Sequence, residues 1–170
     1  CGPVYEAMNF AAMDPFNTLW DDEHKGGLPI IFNIFNNFYG MGGQTSGETM
    51  AYSQVARLGA GITPSQMYAE RVDGYNPLAV IDAYKRKREI IESRKGPVLL
   101  DVLTYRISGH SPSDSSAYRS KEEIEMWQEA DSIVAFSKQL KDAKVANASE
   151  LEAIEQQVKA WILSTVKLAK

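Results

Sequence analysis

Cysteine is nearly absent: Cys1 is the single one in 170 residues, which excludes an intramolecular disulfide and any metal cage built from thiolates. The chain therefore reads as a protein of a reducing compartment. No apolar run approaches the roughly 18 residues that span a bilayer, so a soluble chain with no membrane partner is expected. Charge of one sign is lacking too, because 18 Lys plus Arg against 22 Asp plus Glu leave a net charge of -4. That balance gives no broad attraction for nucleic acid or anionic lipid, so any bound anion must be held by local groups. A G-x-S-x-G elbow is missing as well. Ser108, His110 and Asp114 lie close in sequence, but without a strained, exposed serine and an oxyanion hole they do not make a nucleophilic triad.

Apolar residues are plentiful at 44%, enough for one buried core. Val4, Met8, Ala11 and Ala12 recur at helical spacing and predict a helix from Val4 to Met13, closed by Asp14-Pro15. "PFNTLWDDEHKGG" has no sustained period and reads as an inserted loop in which His24 is plain surface. Pro29 to Phe35 is almost continuously apolar, as expected of a strand covered on both faces. A Gly-rich loop and a short helix near Glu48 to Leu58 follow, then a short strand ending at Asp73-Gly74. Asn76 caps the next helix, with Pro77 in its first turn and Leu78, Ile81, Tyr84 and Ile91 along one side. Its run "KRKRE" reads as a solvated face, and a second buried strand spans Val98 to Arg106. Beyond Tyr118 the pattern is helical, with "SKEE" and "SELE" both spaced as capping boxes. The last helix aligns Leu151, Ile154, Val158, Trp161, Ile162 and Val166, a stripe that would pack on a body or a partner.

These elements describe βαβ units, hence an α/β domain with a mostly parallel sheet over residues 1–118 and a helical extension over 119–170. In such sheets ligands gather outside the carboxyl ends of the strands, where two polar loops fall. The first, "NNFYGMGG", offers the hard, uncharged amide and backbone oxygens that suit Mg²⁺ or Ca²⁺ when phosphate supplies the negative charge; it is equally the composition of a sharp turn. The second, "TYRISGHSPSDSSAYR", carries Arg106, His110, Asp114 and Arg119, and its imidazole can donate to phosphate or shuttle a proton, unless the loop is simply solvated. Glu6 and Asn9, a turn apart on the first helix, either line a site or face water.

Taken together and in order, "VYEAMNFAA", "LPIIFNIFNNFYGMGG", "RVDGYNPLAV", "KGPVLLDVLTYR" and "GHSPSDSSAYRSKEE" resemble the α subunit (E1 α) of thiamine diphosphate-dependent 2-oxo acid dehydrogenases, the E1 type of pyruvate, branched-chain and acetoin dehydrogenase complexes. The resemblance implies a thiamine diphosphate-binding fold and a Mg²⁺ ion held by the side-chain oxygen of Asn37 and the backbone carbonyl of Tyr39. It also implies that His110 contacts the cofactor near its diphosphate and supports acyl transfer, and that Ser111 matches a serine phosphorylated in mitochondrial relatives. The implied reaction is oxidative decarboxylation of a small 2-oxo acid, or acetoin cleavage, with acyl transfer to a lipoyl-bearing E2. The implied partners are an E1 β subunit or domain, which brings the activating glutamate, and the amino-terminal half of the α subunit. The implied location is cytoplasmic, or the mitochondrial matrix in a eukaryote.

The departures are specific. The insertion between Ala12 and Leu28, Ser108 in place of a common His or Arg, and Pro112 and Ser115 leave the substrate open, although "SDSSAYR" is nearer branched-chain relatives. The family's Gly-Asp-Gly, which brings the third protein ligand, would lie a few residues ahead of Cys1, so a carboxyl-terminal portion that is inactive alone is expected. The alternative is an assembly module that binds no cofactor.

Overall fold

The computed structural model describes every residue except Cys1, Asp22, His24 and Lys170, so the reading of His24 as surface lies outside the described residues. The chain folds into two compact units, the first through Glu129 and the second from Ala130 onward.

The first unit is α/β. Strands β1 (Ile31–Asn36), β2 (Glu70–Asp73) and β3 (Val98–Leu103) form a parallel sheet in the order β1-β3-β2. The most apolar strand is central: Val98, Leu99, Leu100 and Val102 of β3 are buried, as a strand covered on both faces must be. On one face, helix α2 (Pro77–Glu92) brings Ala79, Val80, Ala83 and Tyr84 onto Ile31, Val72, Leu100 and Val102. On the other, Met8 of helix α1 (Gly2–Ala11) joins Met67, Leu99, Phe32 and Ile34. Each buried Leu contributes about 2 kcal/mol by removal of its side chain from water.

Asn76 caps α2 as its sequence requires, accepting from the Leu78 and Ala79 amides at 3.1 and 3.2 Å. The packed face differs from the expected stripe, because Leu78 and Ile81 are exposed while small Ala83 makes the close approach. The basic run also differs from a solvated face. Lys87 is buried, with its ammonium 2.6 Å from the Tyr68 carbonyl and 3.0 Å from a Glu70 carboxylate oxygen. The expected helix near Glu48 to Leu58 is absent. Isolated bridges Tyr39–Gln44 and Ser46–Met50 hold the Gly-rich loop, and a 3₁₀ turn covers Val55–Gly61. Glu6 and Asn9 are exposed.

Helix α3 (Lys121–Glu129) closes the first unit. The second unit holds α4 (Ser132–Asp142) and α5 (Ala148–Leu168). The capping box of α5 falls on Asn147 and Glu150, ahead of the expected Ser149 and Glu152, since asparagine caps as well as serine and stands earlier. Ile154, Trp161, Ile162 and Val166 of its apolar stripe are exposed. Among the described residues no helix is long and apolar enough to cross a membrane.

Candidate functional site

At the carboxyl end of β1 the two asparagines take different roles. Asn36 is buried and donates its amide to Asp101 Oδ1 at 3.1 Å. Asp101, on β3, is fully buried and collects donors from three sides: Oδ2 accepts from Arg71 Nε of β2 at 2.8 Å and from the Ala56 amide at 3.2 Å, and the Arg71 Nη2 lies 2.7 Å away. One carboxylate thus ties β1, β2, β3 and the 3₁₀ turn together just below the loops.

Asn37 turns out of the strand. Its side-chain Oδ1 accepts from the Tyr39 amide at 3.2 Å, an Asx turn, with Phe38 between them at φ 69° in the left-handed region. The Asx turn keeps two of the sequence-predicted residues, Asn37 and Tyr39, side by side. The Arg106 amide donates to the Asn37 carbonyl at 3.4 Å, and the Arg106 guanidinium donates to the Gly40 carbonyl, so the loop after β3 is fastened to the loop after β1.

The Tyr39 ring is buried in an aromatic and cationic cluster. Tyr105 meets it edge-on at 5.7 Å, Tyr118 lies at 5.6 Å, and the Arg106 and Arg119 guanidinium carbons sit 5.6 and 5.3 Å from its centre. Trp127 of α3 stacks on Tyr105 at 5.0 Å and 7°. Glu123 Oε1 accepts from both the Tyr39 hydroxyl at 2.5 Å and the Tyr105 hydroxyl at 2.9 Å. Burial first, and then the bond to Glu123, push both phenols above the ordinary tyrosine range, so both stay protonated donors.

His110 is exposed, and the bond that places it runs through its backbone: the amide donates to Asp114 Oδ2 at 2.7 Å. Asp114 also accepts from the Tyr118 hydroxyl at 2.7 Å and the Ser116 amide at 2.8 Å. These donors, the Tyr118 hydroxyl foremost, hold its carboxyl down at about 2. Gly109 permits the turn, since a Cβ there would come within 2.9 Å of the Asp114 Cβ. Ser111 is exposed and shares a 3.1 Å hydroxyl contact with Ser113.

Among the described residues no three His, Cys, Asp or Glu side chains cluster so as to hold a metal. The Asx turn instead supplies neutral oxygens, a donor set suited to a hard cation whose charge is balanced by a polyanion.

A family model described as "Dehydrogenase E1 component" matches residues 1–170. The chain belongs to that family. It is 35% identical to the pyruvate dehydrogenase E1 component subunit alpha of Rickettsia conorii, over 99% of this chain and 47% of that protein. It is 36% identical to the subunit of the same name from Rhizobium meliloti, over 99% of this chain and 44% of the relative. The mitochondrial one of Schizosaccharomyces pombe is also 36% identical, with 99% of this chain and 37% of the relative covered. The chain spans about half the length of the curated relatives it matches, or less.

For this E1 component chain, sequence reasoning singled out Asn37, Tyr39 and His110 but missed Asn36, Asp101 and Glu123. An Asp inside the apolar run "VLLDVL" was the available signal for Asp101, since a carboxylate enters a central strand only when donors meet it there.

Proposed function

We propose that this chain is the carboxyl-terminal portion of an E1 α subunit and forms the diphosphate-anchoring side of a thiamine diphosphate and Mg²⁺ site. The Asx turn that keeps the Asn37 side-chain oxygen beside Tyr39 is the observation that carries this reading. The Asn37 side-chain oxygen and the Tyr39 backbone carbonyl would hold the metal, and His110 would meet the cofactor's phosphate end. Two neutral ligands need negative charge from elsewhere, which the diphosphate and a carboxylate from the remaining length of the α subunit would supply.

Bound thiamine diphosphate supplies the carbanion chemistry that decarboxylates a 2-oxo acid. The protein's own part is binding and orientation. Asn37 and Tyr39 would hold the metal, the aromatic and arginine cluster packs around the Tyr39 ring, and the Asp114 turn holds the His110 backbone while its side chain stays exposed, where it would meet the cofactor. The substrate is a small 2-oxo acid, with pyruvate first in view of the relatives' names, and the acyl product passes to a lipoyl-bearing E2. An E1 β subunit completes the site, and the cytoplasm or mitochondrial matrix is the compartment.

Calorimetric titration of thiamine diphosphate with Mg²⁺ into the chain assembled with the rest of the α subunit and its β partner tests this. Binding is expected for the wild type and altered metal affinity for Asn37→Asp, which sets a charge beside the diphosphate. His110→Ala should lower turnover more than cofactor binding. A wild-type assembly that takes up neither cofactor nor metal refutes the reading.

A further inference from the structure

Glu123 stands three residues after Ser120, the spacing of a capping box, and Ser120 does cap α3 by accepting from the Glu123 amide at 3.1 Å. The reciprocal half of the box would send the Glu123 carboxylate back to the Ser120 amide. It goes the other way, with a single oxygen taking both the Tyr39 and the Tyr105 hydroxyls. Tyr39 and Tyr105 are 6% and 7% exposed, while Glu123 is half-buried and lines, with both of them, Phe38 and Trp127, a pocket open to solvent, so the carboxylate meets the two hydroxyls at the edge of the buried cluster.

Tyr39 is hydrogen-bonded at its backbone and at its ring. Its amide is tied to Asn37, and its ring is tied to α3 through Glu123. Phe38 lies between the candidate metal ligands at φ 69°, a conformation that β-carbon sterics disfavour, so this turn holds its shape only if its ends are fastened. The Asn37 end is fastened by the strand, through Asn36 and Asp101. At the Tyr39 end the backbone is held by the Thr45 amide on the Phe38 carbonyl at 2.8 Å, by the Tyr39–Gln44 bridge and by Arg106 on the Gly40 carbonyl, and the ring adds a hydrogen bond from that end to α3.

We infer that Glu123 is a positioning residue for the Asn37–Tyr39 turn: by binding the Tyr39 hydroxyl against that of Tyr105, it holds the strained Phe38 turn in the shape that presents the Asn37 side-chain oxygen and the Tyr39 carbonyl to a divalent cation. The inference rests on the metal site proposed above. It adds a residue of α3, 84 positions along the chain from Tyr39, to the machinery that sets metal affinity. A glutamine at 123 keeps an oxygen that can accept from both hydroxyls, whereas an alanine does not.

The test compares wild type, Glu123→Ala, Glu123→Gln and Tyr39→Phe in the assembled enzyme, with two readouts. The first is amide hydrogen exchange over residues 37–47 without cofactor. The second is Mg²⁺ affinity at saturating thiamine diphosphate. Glu123→Ala is expected to speed exchange in that segment and to weaken Mg²⁺ about tenfold, the scale of a lost hydrogen bond to a charged acceptor, with the β3 amides unchanged. Glu123→Gln should return both readouts to within about threefold of wild type, while Tyr39→Phe, which keeps the ring and the carbonyl, should fall between. If wild type binds Mg²⁺ and Glu123→Ala binds it equally, or if the glutamine is no better than the alanine, the inference is overturned while the metal site stands. If wild type itself binds no Mg²⁺, the underlying reading fails first. Should Glu123→Ala not assemble, Tyr39→Phe decides alone: wild-type exchange and affinity in that variant overturn the inference.

Discussion

Removal of the arginine that faces Asp101 should be the most damaging single change below the site. The carboxylate is fully buried, and Arg71, 29% exposed at its side chain, is its one charged partner among the described contacts. Arg71→Ala leaves the Asn36 amide and the Ala56 amide to hold a charge that has lost its counter-ion. Breaking a buried pair from one side in this way costs about 3–5 kcal/mol. Asp101→Ala should cost less, toward about 3 kcal/mol, because Arg71 can turn its guanidinium to water and the groups left without an acceptor, the buried Asn36 amide and the part-buried Ala56 amide, are uncharged. The whole fold rests on about 5–15 kcal/mol, so either change consumes a large fraction of it. In urea, with a slope of about 2 kcal/mol per molar, the Arg71→Ala midpoint should fall by about 1.5–2.5 M. The paired replacement Arg71→Met with Asp101→Leu should recover most of the loss, since no charge is then left alone. A midpoint shift below about 0.5 M for Arg71→Ala, or a larger one for Asp101→Ala, would refute this account of the sheet's polar centre.

Acid should loosen the second loop before it unfolds the sheet. The carboxyl of Asp114 is depressed from 3.8 to about 2, so its stabilising bonds are complete above about pH 4 and are lost as pH falls toward 2. Proteolysis or hydrogen exchange over residues 106–119 should show that step, and Asp114→Asn should abolish it. Asn76→Ala removes the acceptor for the first amides of α2 and should cost about 1 kcal/mol by urea unfolding.

The elements that the sequence specifies locally are those that formed where expected. The strand at Val98 is visible because it lies under helices on both faces and so carries no polar alternation, and the start of α2 is visible because a cap and a first-turn proline are short-range signals. The stripe expected on α2 is met in part: Tyr84 packs on the sheet while Leu78 and Ile81 do not, because period counting rewards large side chains. The closest approach to the sheet is made by Ala83, and Ile81 and Ile91 line an open groove beside Ile31 of the edge strand. The helix expected after Gly47 did not form. Gly47 sits at φ 90°, and the Thr49 hydroxyl bonds the Thr45 carbonyl at 3.2 Å, the local competition by which threonine and glycine unmake a weak helix.

The candidate site divides along the same line. Asn37 and Tyr39 are neighbours in the chain, and their Asx turn follows from local chemistry that any reading of "NNFYG" can anticipate. What fixes that turn in space is non-local: Asn36 to Asp101 across 65 residues, and Tyr39 to Glu123 across 84. No periodicity encodes such pairs, and the local signal at Glu123 is met only in half: Ser120 accepts from its amide, but its carboxylate does not return to Ser120. A side chain whose local role is available and is not taken has been claimed by a stronger partner. Here the partners are two buried phenols, whose pKa is raised first by burial and whose hydroxyls share one carboxylate oxygen. The carboxylate that leaves the helix start uncapped on one side therefore binds the Asn37–Tyr39 turn to α3, and the loss in α3, about one hydrogen bond, is offset by two bonds to phenols that are themselves buried.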